Sequence, residues 1–195
     1  MIKIAMIRHG KTYGNTLGRY IGVTDEPLCE EGKKELEQRT MDTVELLFVS
    51  PLKRCLETAD VLYPYAKQVK IPEFAECNFG EFENKNYQEL KDNPKYQEWI
   101  DSMATLAVPG GESPQQFKDR CIAGFDKMVD TCIRRHYRNV VHGGTIMSIL
   151  EQYGVPQKSY YDWRVENGCG YHLYLSEQNW KMGRREAVVE SEIRR

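Results

Sequence analysis

Apolar residues follow two rhythms along this chain. Residues 2–7 are nearly all apolar, which predicts a strand covered on both faces, as in a parallel sheet flanked by helices. Residues 44–49 repeat that pattern, and Asn139-Val140-Val141 carries a shorter version. Residues 169–175 alternate instead, Tyr171, Leu173 and Leu175 against His172 and Tyr174, which predicts a later, less covered strand. The second rhythm is helical. Leu52, Cys55, Leu56, Ala59, Leu62 and Tyr63 recur with a 3.6-residue period after Ser50-Pro51, which places Ser50 as N-cap and Pro51 at the first helical position. Ser113-Pro114-Gln115-Gln116 reads as a capping box. It opens a helix with a buried stripe of Phe117, Cys121, Phe125, Met128 and Cys132.

Ile146, Met147, Ile149 and Leu150 mark a further helical run, and the mixed-charge residues 186–195 read as a frayed tail or a last edge strand. From about 73 to 111 the periodicity weakens while aromatic and charged residues mix, as expected of a partly helical insertion overhanging the sheet. No repeat or Pro/Gly/Ser linker divides the chain. The expectation is one α/β domain over residues 1–195, a three-layer sandwich with a mostly parallel sheet between helices.

Composition narrows the function. The 195 residues are 41% hydrophobic and 29% charged, which excludes a disordered chain. Apolar runs such as Ile4-Ala5-Met6-Ile7 fall far short of a membrane span, and the N-terminus lacks the pattern of a signal peptide. A net charge of −2 argues against a nucleic-acid or anionic-membrane partner. Cys29, Cys55, Cys77, Cys121, Cys132 and Cys169 are scattered without C-x-x-C spacing. They read as buried thiols in the cytoplasm, with no metal and no cofactor implied.

Chemistry collects at strand ends. The first strand runs into Arg8-His9-Gly10, the second into Ser50-Pro51 with Arg54 one turn on, and the third into His142-Gly143-Gly144. Ligands of open parallel sheets bind outside the carboxyl ends of the strands. Two histidines and two arginines therefore have reason to meet there, beside helix starts that offer free N–H groups. Arginine forks fit tetrahedral oxyanions, and a neutral imidazole is a nucleophile toward phosphorus. The combination reads as a phosphate pocket.

Each residue also has a plain structural reading. Singly, either histidine is more often a satisfied strand-end side chain, and only the cluster reverses that. Arg54 has Glu57 within reach, Glu76 sits among Glu73, Glu81 and Glu83, and Thr12 and Asn15 suit local backbone bonding. The basic cluster Arg134-Arg135-His136-x-Arg138 is read as cations at a helix C-terminus, and Tyr160, Tyr161 and Trp163 as packing.

Taken together, these residues resemble the histidine phosphatase superfamily, the phosphoglycerate mutase-like proteins. The likeness runs through Arg8-His9-Gly10, Thr12, Asn15, Gly18-Arg19, Gly22, Thr24-Asp25-x-Pro27-Leu28 and Gly32. It continues with Ser50-Pro51-Leu52-x-Arg54, Thr58-Ala59, Glu76-x-x-Phe79-Gly80, Pro109-Gly110-Gly111-Glu112-Ser113, His142-Gly143-Gly144 and Asn167. The resemblance implies that His9 is phosphorylated, that Arg8, Arg54 and His142 hold the phosphoryl group, and that Glu76 protonates the leaving oxygen. Asn15 and the Gly143 N–H would complete the pocket, with Thr12, Arg19 and Tyr20 on the substrate side. Lys11, Gly14 and Asn84 depart from the family pattern. These departures bear on the substrate side rather than on phosphoryl chemistry.

The stretch from Gly18 to Leu28 is similar to α-ribazole phosphatases. The expected enzyme is a metal-independent phosphatase for a small phosphorylated metabolite. A phosphoglycerate mutase and a non-catalytic phospho-ligand module are the alternatives, and a homodimer stays open.

Overall fold

A computed structural model describes residues 1–131 and 137–194. Cys132 of the predicted stripe and Arg134, Arg135 and His136 of the basic cluster lie outside the described residues. Strands β1 (Ile2–Arg8), β2 (Leu46–Val49), β3 (Lys67–Lys70), β4 (Tyr137–Val141), β5 (Gly154–Val155), β6 (Gly170–Leu175) and β7 (Ala187–Ile193) form one sheet in the order β3-β2-β4-β1-β6-β7-β5. The β3-β2-β4-β1 half is parallel throughout. β6 is antiparallel to β1 and to β7, so the sheet is mixed beyond the parallel half.

Helices α1 (Tyr13–Thr16), α2 (Glu30–Glu37), α3 (Lys53–Leu62), α4 (Tyr87–Leu90), α5 (Pro94–Asp101), α6 (Pro114–Thr131), α7 (Gly143–Tyr153) and α8 (Glu177–Lys181) surround it. The near-unbroken apolar run of β1 is used on both faces, as predicted. Ile4 and Met6 pack with Phe125 of α6 and Ile149 of α7, while Ala5 and Ile7 pack with Leu36 of α2 and Cys55 and Ala59 of α3. Helix layers on both faces of the sheet give the three-layer α/β sandwich.

The predicted capping box holds. Gln116 N–H donates to Ser113 Oγ at 3.1 Å and Ser113 N–H to Gln116 Oε1 at 3.0 Å, while Phe117, Cys121, Phe125 and Met128 are buried along α6. The other predicted cap fails. α3 begins at Lys53 with Leu52 at its N-cap. Ser50 N–H donates to Val140 O at 3.1 Å, so Ser50 still belongs to the strand ladder, and its hydroxyl is engaged elsewhere. Within residues 186–195, β7 is a paired strand. Only Ala187 and Val188 gain an outer partner, in β5.

Residues 73–111 carry short 3-10 turns together with α4 and α5. Phe82, Leu90, Tyr96, Trp99 and Val108 form a small core of their own there. Glu83 ties it to the β1 side of the molecule, accepting from Gly22 N–H at 2.7 Å and Thr24 N–H at 2.9 Å.

Candidate active site

The site forms where β1, β2 and β4 end. His9 N–H still bonds Val141 O at 2.9 Å, which holds the two strand ends in register, and the His9 and His142 rings meet edge to face at 5.2 Å. Both imidazoles are buried, at 4% and 0% exposure. His9 Nδ1 lies 2.7 Å from Gly10 O. A carbonyl only accepts, so Nδ1 carries the proton, and in the neutral ring Nε2 keeps the lone pair. Burial foremost, then the nearby Arg54 and Arg8 cations, hold His9 well below the ordinary imidazole range. Burial and Arg54 do the same to His142.

Arg54 does not pair with Glu57, which instead accepts from Leu28 N–H at 2.8 Å. Arg54 is fully buried and donates to Thr24 O at 2.9 Å, Gly22 O at 2.8 Å and Ile21 O at 3.3 Å. Arg8 donates through Nη1 to Val165 O at 2.8 Å. The Nε atoms of both arginines are buried without a partner. Buried guanidinium N–H groups seldom go unpaired, and an Arg N–H suits a charged oxygen acceptor. The start of α7 adds the positive end of an eleven-residue helix.

Glu76 lines the cavity with Arg8, Gly143 and Gly144. Its carboxylate accepts from Cys77 N–H at 3.0 Å and Gly144 N–H at 3.4 Å. Burial outweighs those bonds and the two arginines, and raises its pKa from the usual carboxylate value. The neighbouring acids differ in kind: Glu81 pairs with Lys95 at 2.9 Å, and Glu83 anchors loops. Arg120 was invisible to sequence reasoning. It grips Glu112 through two bonds (2.7 and 2.8 Å) and donates to Glu73 O, Ala75 O and Glu76 O, fixing the backbone that carries Glu76.

Thr12 and Asn15 form a reciprocal capping box on α1, so both have the local role that their type suggests. Asn15 Oδ1 also accepts from Asn167 Nδ2 at 3.1 Å, and Asn167 bonds His9 O at 3.1 Å, which ties Asn15 to the His9 loop. Tyr20 lines the cavity. Arg19 does not. It donates to Asn84 O at 2.7 Å and pairs with Glu89 at 3.1 Å, spending its charge on the insertion.

Trp163 is fully buried packing, whereas Tyr160 and Tyr161 reach the cavity. The three departures have physical explanations. Lys11 pairs with Glu31 and Glu35 of α2 at 2.7 and 2.6 Å. A Cβ on Gly14 would stand 2.5 Å from Ile21 Cδ1, leaving no room for a large side chain. Asn84 takes the left-handed backbone (φ 54°) that glycine and asparagine tolerate best.

Known proteins are built alike. Residues 4–187 match the model of the histidine phosphatase superfamily, branch 1. The adenosylcobalamin/alpha-ribazole phosphatase of Escherichia coli is 27% identical over 189 residues, covering 91% of this chain and 92% of its own length. The uncharacterized phosphatase PhoE of Bacillus subtilis is 24% identical over 93% of each chain. The alpha-ribazole phosphatase of Shigella flexneri superposes with a TM-score of 0.82 at 23% identity, over 96% of this chain and 94% of that one, a likeness of fold. With paired strand-end histidines, the buried Arg54 beside them and a family match over nearly its whole length, the chain belongs to the histidine phosphatase superfamily.

Proposed function

We propose that the chain is a metal-independent phosphatase that hydrolyses a small phosphomonoester through phosphohistidine. One observation carries the reading: the His9 Nδ1–H bond to Gly10 O puts the lone pair of the neutral ring on Nε2, and the nearby guanidinium groups of Arg54 and Arg8 keep unpaired Nε atoms. The Nε2 lone pair attacks phosphorus as the P–O bond to the leaving group breaks. Glu76 gives its proton to the departing oxygen. The phosphoimidazolium keeps its Nδ1 proton directed at Gly10 O, Arg8 and Arg54 neutralise the equatorial oxygens, and His142, Asn15 and the Gly143 N–H complete the ring of donors. Water then attacks phosphorus, Glu76 takes a water proton, and the P–N bond breaks to restore neutral His9.

α-Ribazole 5′-phosphate is the first substrate to try, because the Gly18–Leu28 stretch and two similar proteins point to it. The five described cysteines are free thiols, in keeping with a cytoplasmic enzyme. No described helix is long and apolar enough to cross a membrane.

The test is p-nitrophenyl phosphate hydrolysis by wild type and His9→Ala, with and without EDTA. The expected outcome is turnover by wild type alone, unchanged by the chelator. Equal rates in the two proteins, or inhibition by EDTA, contradicts the reading. Rapid formation of 2-phosphoglycerate from 3-phosphoglycerate with a trace of bisphosphoglycerate would mark a mutase instead.

A further inference from the structure

A cavity of about 680 Å³ is lined by Arg8, Glu76 and Gly143 of the proposed phosphoryl site and extends over Tyr20, Phe79, Trp99 and Met103. That volume suits a drug-sized ligand, and a three-carbon phosphate would leave much of it to water. One side of the cavity is aromatic. Tyr20 packs at a tilt against Phe79, with ring centroids 5.3 Å apart and planes 50° apart, and meets Trp99 edge-on at 5.6 Å.

This wall is fixed from behind. The Tyr20 and Tyr96 hydroxyls lie 2.9 Å apart, and Phe82, Leu90 and Tyr96 pack with Trp99. A preset surface costs little ordering when a ligand settles on it. Further along the lining, Met103 and Ala104 hold left-handed backbone (φ 55° and 58°), strain that gathers at ligand sites. Met103 is 78% exposed, an apolar side chain without cover.

Charge is sparse away from the reacting end. Lys118 pairs with Glu151 at 2.5 Å, and Glu112 is held by Arg120. Beyond Arg8 at the reacting end, Arg164 is the one lining cation for which no ion pair is found among the described residues. The lining therefore rewards desolvated rings and offers little to a polyanion.

We infer that the site selects phosphomonoesters whose leaving alcohol carries a bulky aromatic ring system and little negative charge, with the ring lying against the Tyr20–Phe79–Trp99 wall. The inference rests on the phosphatase reading and adds to it the class of the leaving group.

Leaving-group acidity must be held level to test this, so alkyl esters are compared on the full chain: 2-(2-naphthyl)ethyl phosphate, 2-phenylethyl phosphate, glycerol 3-phosphate and 3-phosphoglycerate. The expected kcat/KM falls in that order, with the naphthyl ester on the order of 30-fold above glycerol 3-phosphate, as burial of a bicyclic ring predicts. Phe79→Ser narrows that ratio, and so does Met103→Ser, an exposed position where folding is not at stake. Equal kcat/KM across the esters, a preference for the glycerate, or ratios unmoved by both substitutions overturns the inference and leaves the phosphatase reading standing. No hydrolysis of any ester, p-nitrophenyl phosphate included, overturns the phosphatase reading and this inference with it.

Discussion

Ser50 Oγ lies 2.7 Å from His142 Nε2, and both residues are fully buried. The contact joins the end of β2 to the end of β4, and it gives His142 a side-chain partner on Nε2 where His9 has the Gly10 carbonyl on Nδ1. A hydroxyl both donates and accepts. It therefore serves His142 whether Nε2 is bare or protonated, while the buried Cys55 Sγ lies 3.8 Å from Nδ1. Ser50→Ala strands a buried ring nitrogen, at a cost of about 1–3 kcal/mol. We expect kcat to fall roughly 10- to 100-fold, as that cost implies, with KM nearly unchanged and the acid limb of the pH profile displaced. Ser50→Thr should restore most of the loss. A drop in KM-linked binding alone, with an unmoved pH profile, would mean that the contact only packs.

The pH dependence follows from two opposite displacements. Burial and two cations hold His9 well below the imidazole range, so it stays unprotonated in mild acid; burial raises Glu76, so its proton persists above the usual carboxylate range. Activity in the forward step needs both conditions at once. The expected profile of kcat/KM is a bell centred on the acid side of neutrality, with the acid limb below about 6.5. Glu76→Gln should remove the enzyme's part of the alkaline limb while the substrate's own titration remains. An optimum above neutrality would contradict this assignment.

Arg54 is an anchor as well as an anion binder. It satisfies the carbonyls of Ile21, Gly22 and Thr24 from the buried start of α3. Lysine cannot span three acceptors and still present a free N–H. Arg54→Lys should lower both turnover and thermal stability, the latter by roughly 2–4 kcal/mol, as expected when buried acceptors lose a charged partner. Arg8, with one carbonyl partner, should lose turnover on Arg8→Lys with a smaller change in melting temperature. Differential scanning calorimetry alongside kinetics separates the two.

Orthovanadate or phosphate should raise the melting temperature if the unpaired Nε atoms of Arg8 and Arg54 await an anion. At a hundredfold excess over Kd the stabilisation is about 2.7 kcal/mol. No shift at saturating ligand, or an equal shift in the Arg8→Ala variant, would remove these nitrogens from the binding site.

Much of this was legible in the sequence because the deciding features are local. β1 announces itself as an unbroken apolar run, and α6 by its capping box. Each His-Gly pair follows directly on a strand. What stayed hidden depends on contacts across the fold. β3 reads Lys67-Gln68-Val69-Lys70, a polar edge strand defined by its pairing to β2 rather than by its own pattern. α2 contains Gly32, which lowers its propensity; the reason lies elsewhere, since a Cβ there would stand 2.3 Å from Lys11 O. Ser50 looked like a helix cap because Ser-Pro before a periodic run usually is one. Its true partner is 92 residues away. Tyr160 and Tyr161 read as packing beside Trp163 in the sequence, and only tertiary structure separates the two that face the cavity from the one that fills the core.

The most direct measurement is a rapid quench into alkali during turnover of an aryl phosphate, followed by mapping of the phosphorylated residue. Phosphorus on Nε2 of His9, labile to acid, stable to base and missing from His9→Ala, is the predicted result. Turnover that proceeds with no phosphoenzyme at His9, or with phosphate on any other side chain, would contradict the account at its centre.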